Sequence, residues 1–77
     1  MSHKRKHHVA APIAGTIWKI TTAVGSRVGE EETVVIMESM KMEMPVEAGR
    51  GGNIAEIRIK EGDPVQEGSV LLVIDEE

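Results

Sequence analysis

From Ala55 to Lys60 the chain alternates apolar and charged side chains, Ala-Glu-Ile-Arg-Ile-Lys. A period of two places Ala55, Ile57 and Ile59 on one face of a strand and Glu56, Arg58 and Lys60 on the other. Trp18, Ile20 and Thr22 hold the corresponding inward places 37 residues earlier. No stretch shows helical spacing. Of the nineteen Ile, Val and Leu residues seventeen are β-branched, which suits a pleated surface better than a helix. The pattern predicts an all-β chain of short strands.

The spacing of those strands is itself repeated. Sliding Ala11–Glu38 along Ala48–Asp75 without a gap aligns Ala11 with Ala48, Gly15 with Gly52, Ile17 with Ile54 and Ile20 with Ile57. It also aligns Gly25 with Gly62, Val28 with Val65 and Glu30 with Glu67, and it lays Val34-Val35-Ile36-Met37 on Leu71-Leu72-Val73-Ile74. The matches include turn glycines and the hydrophobic positions between them, so two copies of one structural unit are expected. Val24-Gly25-Ser26 and Glu61-Gly62-Asp63-Pro64 break the chain at equivalent places, and Gly49-Arg50-Gly51-Gly52 separates one strand from the next. Two such units bury one face each against the other. The expected fold is a flattened β-barrel or sandwich of two four-stranded sheets related by a pseudo-twofold axis.

The segment joining the copies, Ser39-Met40-Lys41-Met42-Glu43-Met44-Pro45-Val46-Glu47, contains no Gly, Asn or Asp to ease a reversal. If residues 33–39 run in and 42–46 run out, the turn falls on Met40 and Lys41. Two-residue hairpin turns favour positive φ at both central positions, which Asn-Gly satisfies and Met-Lys does not. A local rule broken at one exposed site points to function.

Length and composition narrow the classes. A chain of 77 residues makes one domain that buries about 60% of the unfolded chain's surface, with little room for an enclosed active site. Cysteine is absent, so packing alone holds the fold, and a reducing cytoplasm suits it. No uncharged apolar run, Val70–Ile74 included, approaches the roughly 20 residues that cross a bilayer. Neither a membrane span nor a hydrophobic leader is expected.

Charge is divided unevenly. Residues 1–8 carry Lys4, Arg5, Lys6 and all three histidines, whereas residues 9–77 hold six Lys or Arg against thirteen Asp or Glu. A basic tail without interleaved aromatics or a basic folded face does not read as a nucleic-acid site. Residues 1–8 are expected to be a disordered terminus or an expression remnant, ahead of a folded domain over 9–77. No acid or thiol completes a metal shell around His3, His7 and His8, so no metal site is assigned. The run Glu30-Glu31-Glu32 reads as a solvated loop, and Trp18, the sole aromatic, as a packing residue.

Glu38-Ser39-Met40-Lys41-Met42-Glu43 resembles the attachment motif of biotinyl carrier domains, in which a lysine between two methionines at a hairpin tip is modified. Ala11-Pro12-Ile13-Ala14-Gly15 resembles the family's opening strand, and Glu61-Gly62-Asp63-Pro64-Val65 its later turn. The resemblance covers residues 9–75 and implies the barrel-sandwich hybrid fold. It also implies biotin bound covalently to Lys41 by a biotin protein ligase, and a swinging biotin that carries a carboxyl group between biotin carboxylase and carboxyltransferase sites. Such a domain is a non-catalytic carrier, expected as a monomer in isolation. Ser39 stands where many members have Ala. The gap-free repeat leaves no room for the inserted thumb of some members, so a thumbless one is implied, either free-standing or excised from a longer chain.

The chemistry needs what Lys41 supplies, a primary amine on a flexible stem. Its free form is protonated at neutral pH, so a ligase must remove the proton before acyl transfer. Met37 and Met44 are read as core filler. Met40 and Met42 cannot both be deeply buried beside an exposed Lys41 and are read as an adaptable collar for ligase and carboxylases. Glu38 and Glu43 either steer the ligase or are solvated strand charges. Two alternatives remain: a lipoyl carrier acylated with lipoate on the same Lys41, and a non-carrier interaction module with a Met-rich tip.

Overall fold

The computed structural model describes residues 5–76, and within them the chain forms eight strands and no helix. These are β1 (Lys6–Ala10), β2 (Gly15–Ile20), β3 (Arg27–Val28), β4 (Thr33–Ser39), β5 (Met42–Glu47), β6 (Gly52–Ile57), β7 (Pro64–Val65) and β8 (Val70–Glu76). They pair antiparallel into two four-stranded sheets, ordered β1-β8-β6-β3 and β5-β4-β2-β7. The expected all-β double layer is the observed one.

The 37-residue offset carries β2, β3 and β4 onto β6, β7 and β8 with matching ends. It also carries hydrogen bonds onto hydrogen bonds. Ile17 N–H donates to Asp63 O at 2.9 Å, and Ile54 N–H donates to Ser26 O at 2.8 Å; Gly62 N–H reaches Ile17 O at 2.7 Å, and Gly25 N–H reaches Ile54 O at 2.8 Å. Each half therefore ties its turn to the opening strand of the other. The exchange extends to whole strands: β8 and β6 of the second half are flanked by β1 and β3 of the first, while β4 and β2 are flanked by β5 and β7. Between the sheets lie Ile17, Val34, Val35, Met37, Ile54, Leu71, Leu72 and Ile74, all fully buried.

Two expectations are corrected. The folded domain does not begin at residue 9, because Lys6, His7 and His8 pair with Asp75, Ile74 and Val73 of β8. The repeat continues upstream, β1 answering β5, and both strands bury one valine, Val9 and Val46. His7 is half-buried, with Nε2 3.1 Å from Ala48 O. Residues 1–4 of the expected tail, His3 included, lie outside the described residues.

Trp18 does not face inward either. The register of β2 against β4 shifts between Ile17 and Lys19, and that of β6 against β8 shifts at the same place, between Ile54 and Glu56. Trp18 and Ala55 are the extra residues of equivalent β-bulges, and a bulge resets the two-residue alternation. Ile17 and Ile54 are the buried side chains, and Trp18 is left 42% exposed.

Two glycines fix how closely the strands pack. A Cβ at Gly15 would lie 2.6 Å from Glu38 O, and one at its counterpart Gly52 would lie 2.1 Å from Asp75 O. No larger residue fits either place without moving backbone.

Candidate functional site

β4 is a central strand whose inward side chains Val35 and Met37 are fully buried, so its outer end is firmly based. It continues into a hairpin with β5 in which Met37 faces Met44, Glu38 faces Glu43 and Ser39 faces Met42. Two residues remain for the reversal, Met40 at φ 54° and Lys41 at φ 65°. Both occupy the left-handed region, as a tight two-residue hairpin requires and as neither side chain prefers. The base resists relaxation: Ser39 Oγ donates to Ala14 O at 3.0 Å, and Gly15 lets β2 close up against Glu38.

Lys41 is exposed at this tip, and among the described residues no hydrogen bond or ion pair holds its Nζ. Met40 is 88% and Met42 69% exposed, while Met44 is half-buried and Met37 fully buried. The methionines thus divide between surface and core. Pro45, exposed on the edge strand β5, removes a backbone donor from that edge and discourages pairing with another chain.

The pseudo-twofold supplies a comparison for the acids. Glu38 and Glu43 face each other across β4 and β5, and their counterparts Asp75 and Lys6 face each other across β8 and β1. Asp75 and Lys6 form an ion pair; Glu38 and Glu43 oppose two like charges. Elsewhere Glu56 pairs with Arg58, and Glu76 lies 3.5 Å from Arg50. Like charges directly opposite weaken a sheet. The arrangement leaves a negative spot beside the lysine that a cation can answer.

The structure brings Glu38, Met40, Lys41, Met42 and Glu43 together at one end of one sheet. Glu30, Glu31 and Glu32 are exposed in a turn, where Glu32 Oε1 accepts from Gly29 N–H at 3.1 Å. Among the described residues no cluster of acids, histidines or cysteines has the makings of a metal site. Trp18, on the same sheet, is an exposed feature that the sequence reading placed in the core. Lys41 thus presents a primary amine that has no partner among the described residues, at the end of a strand whose inner side chains are buried.

Residues 4–74 match the biotin/lipoyl family whose model is described as "Biotin-requiring enzyme", and the chain belongs to that family. It is 45% identical over 64 residues to a biotin/lipoyl attachment protein of Bacillus subtilis, covering 83% of this chain and 88% of that one. It is 39% identical over 64 residues to a biotin carboxyl carrier protein of Streptococcus mutans, covering 83% of this chain and 49% of that one. The solved urea carboxylase of Kluyveromyces lactis contains a domain that superposes with a TM-score of 0.87 at 34% identity, covering 96% of this chain and 6% of that one. The chain thus spans most of the Bacillus attachment protein, about half of the Streptococcus carrier protein and a small part of the urea carboxylase.

Proposed function

We propose that this protein is a biotin carrier, acylated on Lys41 by a biotin protein ligase and serving a biotin-dependent carboxylase. The observation that carries the reading is the exposed Lys41 at a tip whose two residues both adopt positive φ. A strained turn persists where the scaffold over-determines it, and here the strain aims the amine outward. The relatives named as attachment and carrier proteins support the same reading.

The chain's own part is presentation. Lys41 Nζ gives up a proton to a base on the ligase. Its nitrogen then bonds to the carboxyl carbon of biotin as the activating group on that carbon departs. The charge at the tip disappears and the lysine becomes an arm of about ten rotatable bonds, reaching on the order of 10 Å or more beyond its Cα. Biotin, once attached, supplies the ring nitrogen that takes up and gives away a carboxyl group. The domain catalyses neither step; tethering holds the carrier near both enzyme sites at an effective concentration of roughly millimolar.

Intact mass after coexpression with a biotin ligase tests the reading. One biotinyl adduct is expected on the native chain and none on Lys41→Arg; an unmodified native chain under those conditions refutes it. Lipoate on the same lysine is the second reading: Glu38, three residues before Lys41, suits both groups, the name of the Bacillus relative covers both, and Met40 and Met42 favour biotin. Competition between purified lipoyl and biotin ligases for one sample separates the two.

A further inference from the structure

The pseudo-twofold makes each outer sheet face a control for the other, and the two have diverged. On the sheet β1-β8-β6-β3, the bulge holds Ala55, and the neighbouring outer positions carry the ion pairs Lys6–Asp75 and Glu56–Arg58. On the lysine-bearing sheet the same bulge holds Trp18, and the place of Lys6–Asp75 is taken by Glu43–Glu38. Trp18 and Lys19 together face Ile36, which is paired on its other side with Pro45. The Lys19 ammonium lies 5.5 Å from the Trp18 ring centroid, while Ile17 and Met37 point into the core. One face has its charges neutralised; the other sets an exposed indole and two apolar neighbours below an unneutralised acidic pair.

Trp18 leaves 42% of its surface open on this face, and tryptophan is among the residue types enriched at interface hot spots. The acidic pair adds charge complementarity for a basic surface. Reach selects among the enzymes that visit the lysine. At about 3.4 Å per residue, the Glu38–Glu43 row lies roughly 7–10 Å from the tip and the Trp18 row about 7 Å beyond it. An enzyme acting on the ring of the acylated arm can stand clear of both rows. One acting on Nζ itself, at the end of a stem of about 6 Å, has to lie against the hairpin and the face beneath it. Resting on the carrier reading, we propose that Trp18, with Ile36 and Pro45 beside it and the Glu38–Glu43 pair above it, is the docking surface for the biotin protein ligase. The ligase meets it with an apolar pocket bordered by arginine or lysine.

The test uses the whole domain, a purified biotin protein ligase, biotin and ATP. Trp18→Ala copies the residue that the equivalent bulge tolerates at Ala55, so the fold is retained, as far-UV circular dichroism would verify. The expected result is a rise in KM for the domain on the order of tenfold with kcat within about twofold, substantially reversed in Trp18→Phe. Glu56→Ala on the opposite face should leave both constants unchanged. In a Lys41→Arg domain labelled with 5-fluorotryptophan at its single tryptophan, the fluorine resonance should shift or broaden when ligase is added.

A wild-type KM for Trp18→Ala together with an unmoved fluorine signal overturns the docking surface and leaves the carrier reading standing. Failure of the native chain to accept biotin at all overturns the carrier reading and this inference with it. Normal biotinylation of Trp18→Ala followed by slowed carboxylation of the loaded domain assigns the face to the carboxylase and overturns the ligase assignment.

Discussion

Replacing Met40-Lys41 by Asn-Gly should make the protein more stable. At φ 54° and 65° both residues sit in the left-handed region, where an ordinary L-residue gives up about 1 kcal/mol, roughly 2 kcal/mol for the pair. Glycine removes its share and asparagine reduces the other, but glycine returns about 0.5–1 kcal/mol through the greater freedom of its unfolded chain. Met40 is 88% exposed and Lys41 is exposed, so no buried apolar area is forfeited. The net expectation is a gain of about 1 kcal/mol, equivalent to about 4–8 °C in Tm for a domain of this size. Urea unfolding followed by Trp18 fluorescence and circular dichroism measures it, with the m-value unchanged. A double variant no more stable than the parent at equal m would show that the tip is relaxed in solution and that strain is the wrong account. The same variant should accept no biotin.

Glu43→Lys recreates beside the hairpin the Lys6–Asp75 arrangement of the other half, and should add about 0.5 kcal/mol by thermal unfolding while lowering kcat/KM for the ligase. Gly52→Ala forces a Cβ to within 2.1 Å of Asp75 O and should cost about 3 kcal/mol or prevent folding, whereas Gly15→Ala, at 2.6 Å from Glu38 O, should cost about 1–2 kcal/mol. Equal stability of the two glycine variants in urea would contradict that ranking. Leu72→Ala, emptying a fully buried place between the sheets, should cost about 2–5 kcal/mol by the same measurement and leave the site of acylation unchanged.

The scaffold was legible in the sequence because its two halves share an offset and because glycines and β-branched residues mark the same places in each. The tip was legible because the turn has only Met40 and Lys41 to use. β1 is hidden by divergence: in the repeat Val9 matches Val46, while Lys6, His7 and His8 align with the dissimilar Glu43, Met44 and Pro45. A composition of lysine and histidine looked like a tail, yet its strand form follows from pairing with β8, which lies nearly 70 residues away in the chain. Strict alternation puts Trp18 on the inner face, whereas the β2–β4 ladder skips that residue. The repeat held the remedy in part, since Ala55 at the matching place shows that no large core side chain is needed there. What the repeat could not display is the contrast between the two outer faces, which needs the register of β1, β8 and β6 on one sheet and of β5, β4 and β2 on the other.

The interleaving of the halves has a bearing on what a cut at the tip would do. Trypsin severs after free lysine and spares an acylated one, so loading the domain should shield the sole covalent link between the two copies. Even when that link is severed, each piece still contributes flanking strands to the other's central pair. The nicked product should stay clasped as a two-piece assembly, and the domain should be open to reconstitution from two separately made peptides.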